Sequence, residues 1–127
     1  MNKYSQVAID ATNLLQTTKL TPVEAWEQSA LQVFPNSESS RQKGCPKSIF
    51  LGLCEEGLIK GSIVGSYTRS KLNKDYALQA VRLLQDNPSL ADTPNALWDL
   101  IVQNKSSNSQ MNVVTALWNH NLISKSK

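Results

Sequence analysis

Ile49–Ile59 (IFLGLCEEGLI) returns in pattern as Val113–Ile123 (VVTALWNHNLI), 64 positions later. In the first copy a helix with an apolar face stops at Gly57, the expected C-cap, and Leu58 and Ile59 follow it. Two further blocks repeat in the same order. Val7–Gln16 aligns with Tyr76–Gln85 at an offset of 69, with five identities in ten, and Thr21-Pro22 and Trp26 match Thr93-Pro94 and Trp98 at an offset of 72. The offsets differ because the connections differ in length, the second copy gaining three residues at one and losing eight at the other. The expected fold is therefore all-α, with six helices in two repeated three-helix units packed about a pseudo-two-fold axis. It forms one domain over 1–127, with repeats at 3–59 and 74–123. A unit of about 55 residues is marginal alone, which is why the halves are expected to pack together.

The helices follow from apolar spacing and end signals. Val7, Ala8, Ala11, Leu14 and Leu15 make one stripe over Lys3–Thr17. Thr21, Pro22 and Glu24 form a capping box with proline at the first helical position, and Val23, Trp26, Ala30, Leu31 and Phe34 line the face behind it until Pro35. Residues 36–44 read as a loop. The third helix begins at Cys45-Pro46 and buries Ile49, Phe50, Leu53 and Cys54, with Glu55 and Glu56 facing water. Residues 60–74 link the halves. The fourth helix spans Lys74–Asp86, the fifth starts at Thr93-Pro94, and the sixth buries Val113, Val114, Leu117 and Trp118.

No stretch approaches the length of a membrane helix, and the N-terminus lacks a signal peptide's unbroken apolar core. Cys45 and Cys54 on one helix would sit about 13 Å apart, too far to bridge, so a reduced, cytoplasmic protein is the simplest reading. One histidine and two separated cysteines do not make a metal site, and no cofactor motif is present. The net charge of +3 is too mild to imply nucleic acid by itself.

The runs EAW, FPNSESSRQKGCP, FLGLCEEGLIKG and YTRSKLNKDYALQAV, between Glu24 and Ile123, resemble a group of small bacterial proteins of unknown function. The resemblance implies a bacterial origin and brings no activity, ligand or catalytic residue.

Two places could carry function. Cys45, at a helix N-terminus near Arg41, Lys43 and Lys47, has the surroundings that activate a thiol, with His120 as its candidate base; as a plain helix-capping residue it needs no such role. The pair can meet only if the third and sixth helices pack antiparallel. The second place is basic. Residues 39–47 and 60–74 together hold seven of the 13 cations and no acid. Ser39, Ser40, Arg41, Lys43, Gly44, Cys45 and Lys47 could hold an anion or a partner, Tyr67 and Tyr76 could stack on bases, and Arg69 and Lys71 could meet phosphates. The expected function is a non-enzymatic binding or adaptor protein whose contact surface is the loop 36–47 plus the linker 60–76. Its partner would be a protein, a small anionic ligand or a second copy of the chain, and no membrane is involved. The alternatives are Cys45-based acyl or redox chemistry, and a nucleic-acid or anion binder using the basic loops.

Overall fold

Seven consecutive residues, Ile49 to Glu55, are buried. A helix that is buried on every side must have neighbours on every side, and the helix carrying this run lies at the centre of the molecule. The computed structural model describes residues 1–124; the last three residues of the expected domain lie outside the described residues. The chain is all-α. Its elements are α1 (Lys3–Thr17), α2 (Pro22–Val33), a single turn α3 (Glu38–Arg41), α4 (Gly44–Glu55), α5 (Lys71–Asp86), a 3-10 turn (Pro88–Asp92), α6 (Pro94–Ile101) and α7 (Gln110–Asn119). α3 apart, these are the six expected helices.

Several starts and stops follow the chemistry of the residues. The Thr21 capping box forms in full, with Thr21 Oγ1 accepting from the Glu24 N–H at 3.2 Å and Glu24 Oε1 accepting from the Thr21 N–H at 3.0 Å. α4 ends at Gly57 with φ +68°, and the Leu58 N–H donates to Leu53 O at 3.1 Å. α7 ends in the same way. Asn121 takes φ +57°, and the Leu122 N–H donates to Leu117 O at 2.9 Å. Glycine or asparagine in the left-handed region is what this type of cap requires.

The segments after the two caps pair with each other. Ile59 and Ile123 form an isolated antiparallel bridge, in which the Lys60 N–H donates to Leu122 O at 3.0 Å and the Ser124 N–H to Leu58 O at 2.7 Å. α1 packs on α2 and α7, α5 packs on α4, α6 and α7, and α4 touches α7. Trp26, Trp98 and Trp118 are all in the core. Trp26 leans on Phe50 at 5.4 Å between ring centres, and Trp98 meets Tyr76 edge-on at 5.3 Å.

Four local expectations are corrected. The stretch 36–44 contains the turn α3, capped by Ser37, whose Oγ accepts from the Ser40 N–H. α5 starts at Lys71 rather than Lys74, because Ser70 Oγ accepts from the Asn73 N–H at 3.3 Å and caps the helix a turn earlier. Leu31 is 54% exposed: it lies about 100° round α2 from Ala30, off the stripe that faces α1. Glu55 is buried rather than water-facing.

The crossing of α4 and α5 rests on Gly52. A Cβ there would lie 2.9 Å from both Cα and Cβ of Lys74. Gly52→Ala should lower stability by about 1–2 kcal/mol, the clash outweighing the gain in helix propensity. Urea denaturation measures this directly.

Candidate functional site

α4 separates the two basic segments. The loop 36–47 gathers at its N-terminal end, while the linker hangs on its C-terminal end at Glu55. Lys47 and Glu55 are eight residues apart, about 12 Å along the helix, so the expected continuous contact surface divides into two.

At the N-terminal end most of the expected ligand groups are already engaged. Arg41 Nη1 donates to Phe34 O at 2.7 Å and Pro35 O at 3.2 Å, satisfying carbonyls left open where α2 stops. Ser40 O accepts from the Tyr4 hydroxyl at 3.1 Å. Lys47 Nζ pairs with Glu27 Oε2 at 3.4 Å across a cleft of about 420 Å³, which Ala30, Arg41 and Gln42 also line. Ser39, Lys43 and Gly44 are exposed beside it. α4 begins earlier than its sequence signals suggest. Lys43 is the N-cap residue, Cys45 is the second helical residue and Pro46 the third.

Cys45 is half-buried and Cys54 buried, and both are free thiols. His120 is exposed at the C-terminal end of α7. The Ile59–Ile123 bridge joins the C-terminal ends of α4 and α7, whereas Cys45 lies eleven residues before Glu56, about 16 Å back along α4. The helices are thus joined at like ends, the opposite of the arrangement a Cys45–His120 pair requires. Burial pushes the Cys54 thiol far up.

The C-terminal end of α4 holds the most tightly partnered charge among the described residues. Glu55 Oε2 accepts from the main-chain N–H groups of Tyr67 and Thr68, both at 2.7 Å, and Oε1 takes Lys74 Nζ at 2.9 Å. Lys74 also reaches Glu56 Oε2 at 2.8 Å. The Glu55 carbonyl accepts from the Gly65 N–H at 3.2 Å. One residue therefore ties down the linker through its side chain and its main chain.

Just ahead of these ties, at 62–66, the linker forms an exposed ridge. Ser62 Oγ donates to Ile59 O, and the Tyr67 hydroxyl donates to Ile63 O, both at 2.6 Å. The side chains carried outward are Ile63, 77% exposed, and Val64, 72% exposed. On one flank lies a groove of about 170 Å³ lined by Leu15, Lys19, Leu20, Pro22 and Tyr67. On the other is a cleft of about 510 Å³ lined by Glu55, Thr68, Lys71, Lys74 and Asp75. Arg69 and Lys71 are exposed. Tyr76 is buried against Trp98 and has no face free to stack on a base, while Tyr67 is half-buried with its hydroxyl donating to Ile63 O. Among the described residues no three His, Cys, Asp or Glu side chains gather as metal ligands would.

A model of a family of unknown function, DUF6979, matches residues 1–124. The chain belongs to this family. No curated protein and no solved structure matches it. What this DUF6979 member offers is therefore its own geometry. Glu55, expected to face water, and Lys74, expected only as one of the linker's cations, are central to that geometry, and Glu27 and Gln42 join it without a sequence signal. The signal for Glu55 was the unbroken apolar run before it, which leaves α4 no wet face.

Burial pushes the Glu55 carboxyl up, but the Thr68 N–H, the Lys74 ammonium and the Tyr67 N–H outweigh it and hold the pKa below its ordinary 4.5. A folded-state pKa below the unfolded one adds stability that is complete above the unfolded value. That stability is lost as pH falls from about 4.5 through the folded value. In this DUF6979 protein, Glu55→Gln should cost about 1–3 kcal/mol at neutral pH and remove most of this acid-limb loss. Denaturation at several pH values tests both statements. Hydrogen exchange at Tyr67 and Thr68 should speed up in the variant.

The thiols give a second test. Iodoacetamide should modify Cys45 in the folded protein and reach Cys54 only after denaturation. Mass spectrometry reads the two steps.

Proposed function

We propose that the chain is a non-enzymatic binding or adaptor protein, that its contact surface is the ridge at 62–66, and that its partner is a protein presenting an apolar pocket rimmed by acids. The observation that carries this reading is the exposure of Ile63 and Val64 on a loop that Glu55 holds still. A loop whose main chain is already tied down loses less backbone freedom on binding, so more of the apolar burial goes into affinity. Lys60, Arg69 and Lys71 are exposed around the ridge, Lys19 lines its groove, and the linker 60–74 contains no acid. Such a rim favours an acidic partner and speeds encounter with it.

The other readings have less support. Arg41 and Lys47 are occupied by carbonyls and by Glu27, which weakens an anion site at the start of α4. Nucleic acid loses Tyr76 as a stacking platform. Two free cysteines support a reducing compartment such as the cytoplasm. Among the described residues no helix is long and apolar enough to cross a membrane.

The architecture of 3–59 and 74–123 as two copies of one unit, facing each other across a pseudo-two-fold axis, belongs to the same proposal. Its support is the bridge. Moving each residue by 64 positions turns the bond from Lys60 N–H to Leu122 O into the bond from Ser124 N–H to Leu58 O.

The contact surface is tested by a double variant, Ile63→Ser with Val64→Ser, used beside the unaltered chain to capture partners from the source cell. A protein held by the unaltered chain should be retained at least about tenfold less by the variant. Its retention should also weaken as salt rises. The melting temperature should stay within about 2 °C, because exposed substitutions cost little. Capture of the same proteins at the same level by both chains would refute this surface.

A further inference from the structure

Ile63 belongs to two features at once. It crowns the ridge, 77% exposed, and it also lines the groove of about 170 Å³ on the ridge's flank. A partner that covers Ile63 therefore also covers the mouth of the groove. Interface cores pack as densely as protein interiors, so a groove inside the contact is filled by the partner rather than capped empty.

The walls set what can fill it. Leu15, Leu20, Pro22 and the Tyr67 ring give the groove an apolar lining. The hydroxyls among the lining residues are already engaged: Ser62 Oγ donates to Ile59 O, the Tyr67 hydroxyl donates to Ile63 O, and Thr21 Oγ1 accepts from the Glu24 N–H. A polar occupant would give up water and find few bonds in return, so the groove favours an apolar one. A cavity of about 150 Å³ holds benzene, and the groove has room for one side chain of that order. Its walls stand before a partner arrives. A Cβ at Gly61 would lie 3.0 Å from Gln16 Cγ and 3.1 Å from the Leu15 carbonyl carbon, so the linker already rests on the end of α1.

The rim adds a sign. Lys19 is the one charged residue among the described residues lining the groove, it is exposed, and it makes no salt bridge among the described residues. Lys60 is exposed beside Gly61. The nearest acid along the chain from Lys19 is Glu24, whose Oε1 is turned to the Thr21 N–H in the capping box.

We propose that the groove takes one leucine-sized side chain from an acidic segment of the protein partner, with a carboxylate beside that residue meeting Lys19 Nζ. This rests on the ridge as the contact surface and names what the partner presents there. The two proteins interlock: Ile63 and Val64 enter the partner's pocket, and the partner's own apolar residue enters the groove.

The test is a titration of the full chain, followed residue by residue by NMR, with a blocked peptide of one leucine between two pairs of glutamates. Two comparison peptides replace the leucine with serine, or the glutamates with lysines. The first peptide should move the signals of Leu15, Lys19, Leu20 and Tyr67 saturably, with a Kd on the order of 1 mM for so small a ligand. The serine peptide should bind about fivefold more weakly or worse, and the lysine peptide about tenfold. Lys19→Glu with Lys60→Glu, both exposed positions, should keep the fold and invert the preference, the lysine peptide now binding more tightly than the glutamate peptide. Absence of shifts in the groove would overturn the proposal. So would equal binding of the serine peptide, or an unchanged charge preference in the folded double variant. Shifts confined to Ile63 and Val64 would overturn the groove's part and leave the ridge as the contact surface, so the two failures are told apart.

Discussion

A carboxylate taken out of water costs several kcal/mol unless its surroundings replace the lost solvent. At Glu55 the replacement is two main-chain N–H groups and an ammonium, and two of these three come from the linker. The course of the linker is thus set by electrostatic need rather than by apolar packing. That explains an otherwise odd distribution, in which polar main chain turns inward while Ile63 and Val64 are left in solvent. Lys74, which completes the carboxylate's shell, is also the residue that Gly52 admits at the helix crossing. Packing and charge therefore meet within one turn of α4.

The helices were legible because each is written in local terms. Apolar stripes, the Thr21 capping box and the Gly57 cap depend on residues within a few positions of one another; both caps took the expected form, and the stripes did so except at Leu31. Helix starts were less legible where caps compete. Ser70 captures the start of α5 ahead of Lys74, and Lys43 occupies the cap position where Cys45 seemed the stronger signal. Leu31 failed for a simpler reason: an apolar residue beside a stripe need not belong to it, and exposed leucines are common.

The candidate site was legible only as a list of cations. Arg41 looked like a free ligand because the carbonyls it serves, Phe34 O and Pro35 O, belong to a helix end whose position relative to α3 no sequence pattern states. Glu55 looked wet because polarity was weighed ahead of the six buried residues that precede it. In each case the missing information was a tertiary contact, not a residue property.

The bridge between Ile59 and Ile123 joins positions 64 residues apart. A growing chain cannot close it until almost the last described residue has left the ribosome, and closing so long a loop carries its own entropic cost. α4, the centre of the molecule, precedes both α5 and α7 in the chain, and these two helices supply most of what covers its IFLGLC run. The first half of this protein thus carries an apolar helix whose main covering surfaces, α5 and α7, both lie in the second half, so the two halves share one core.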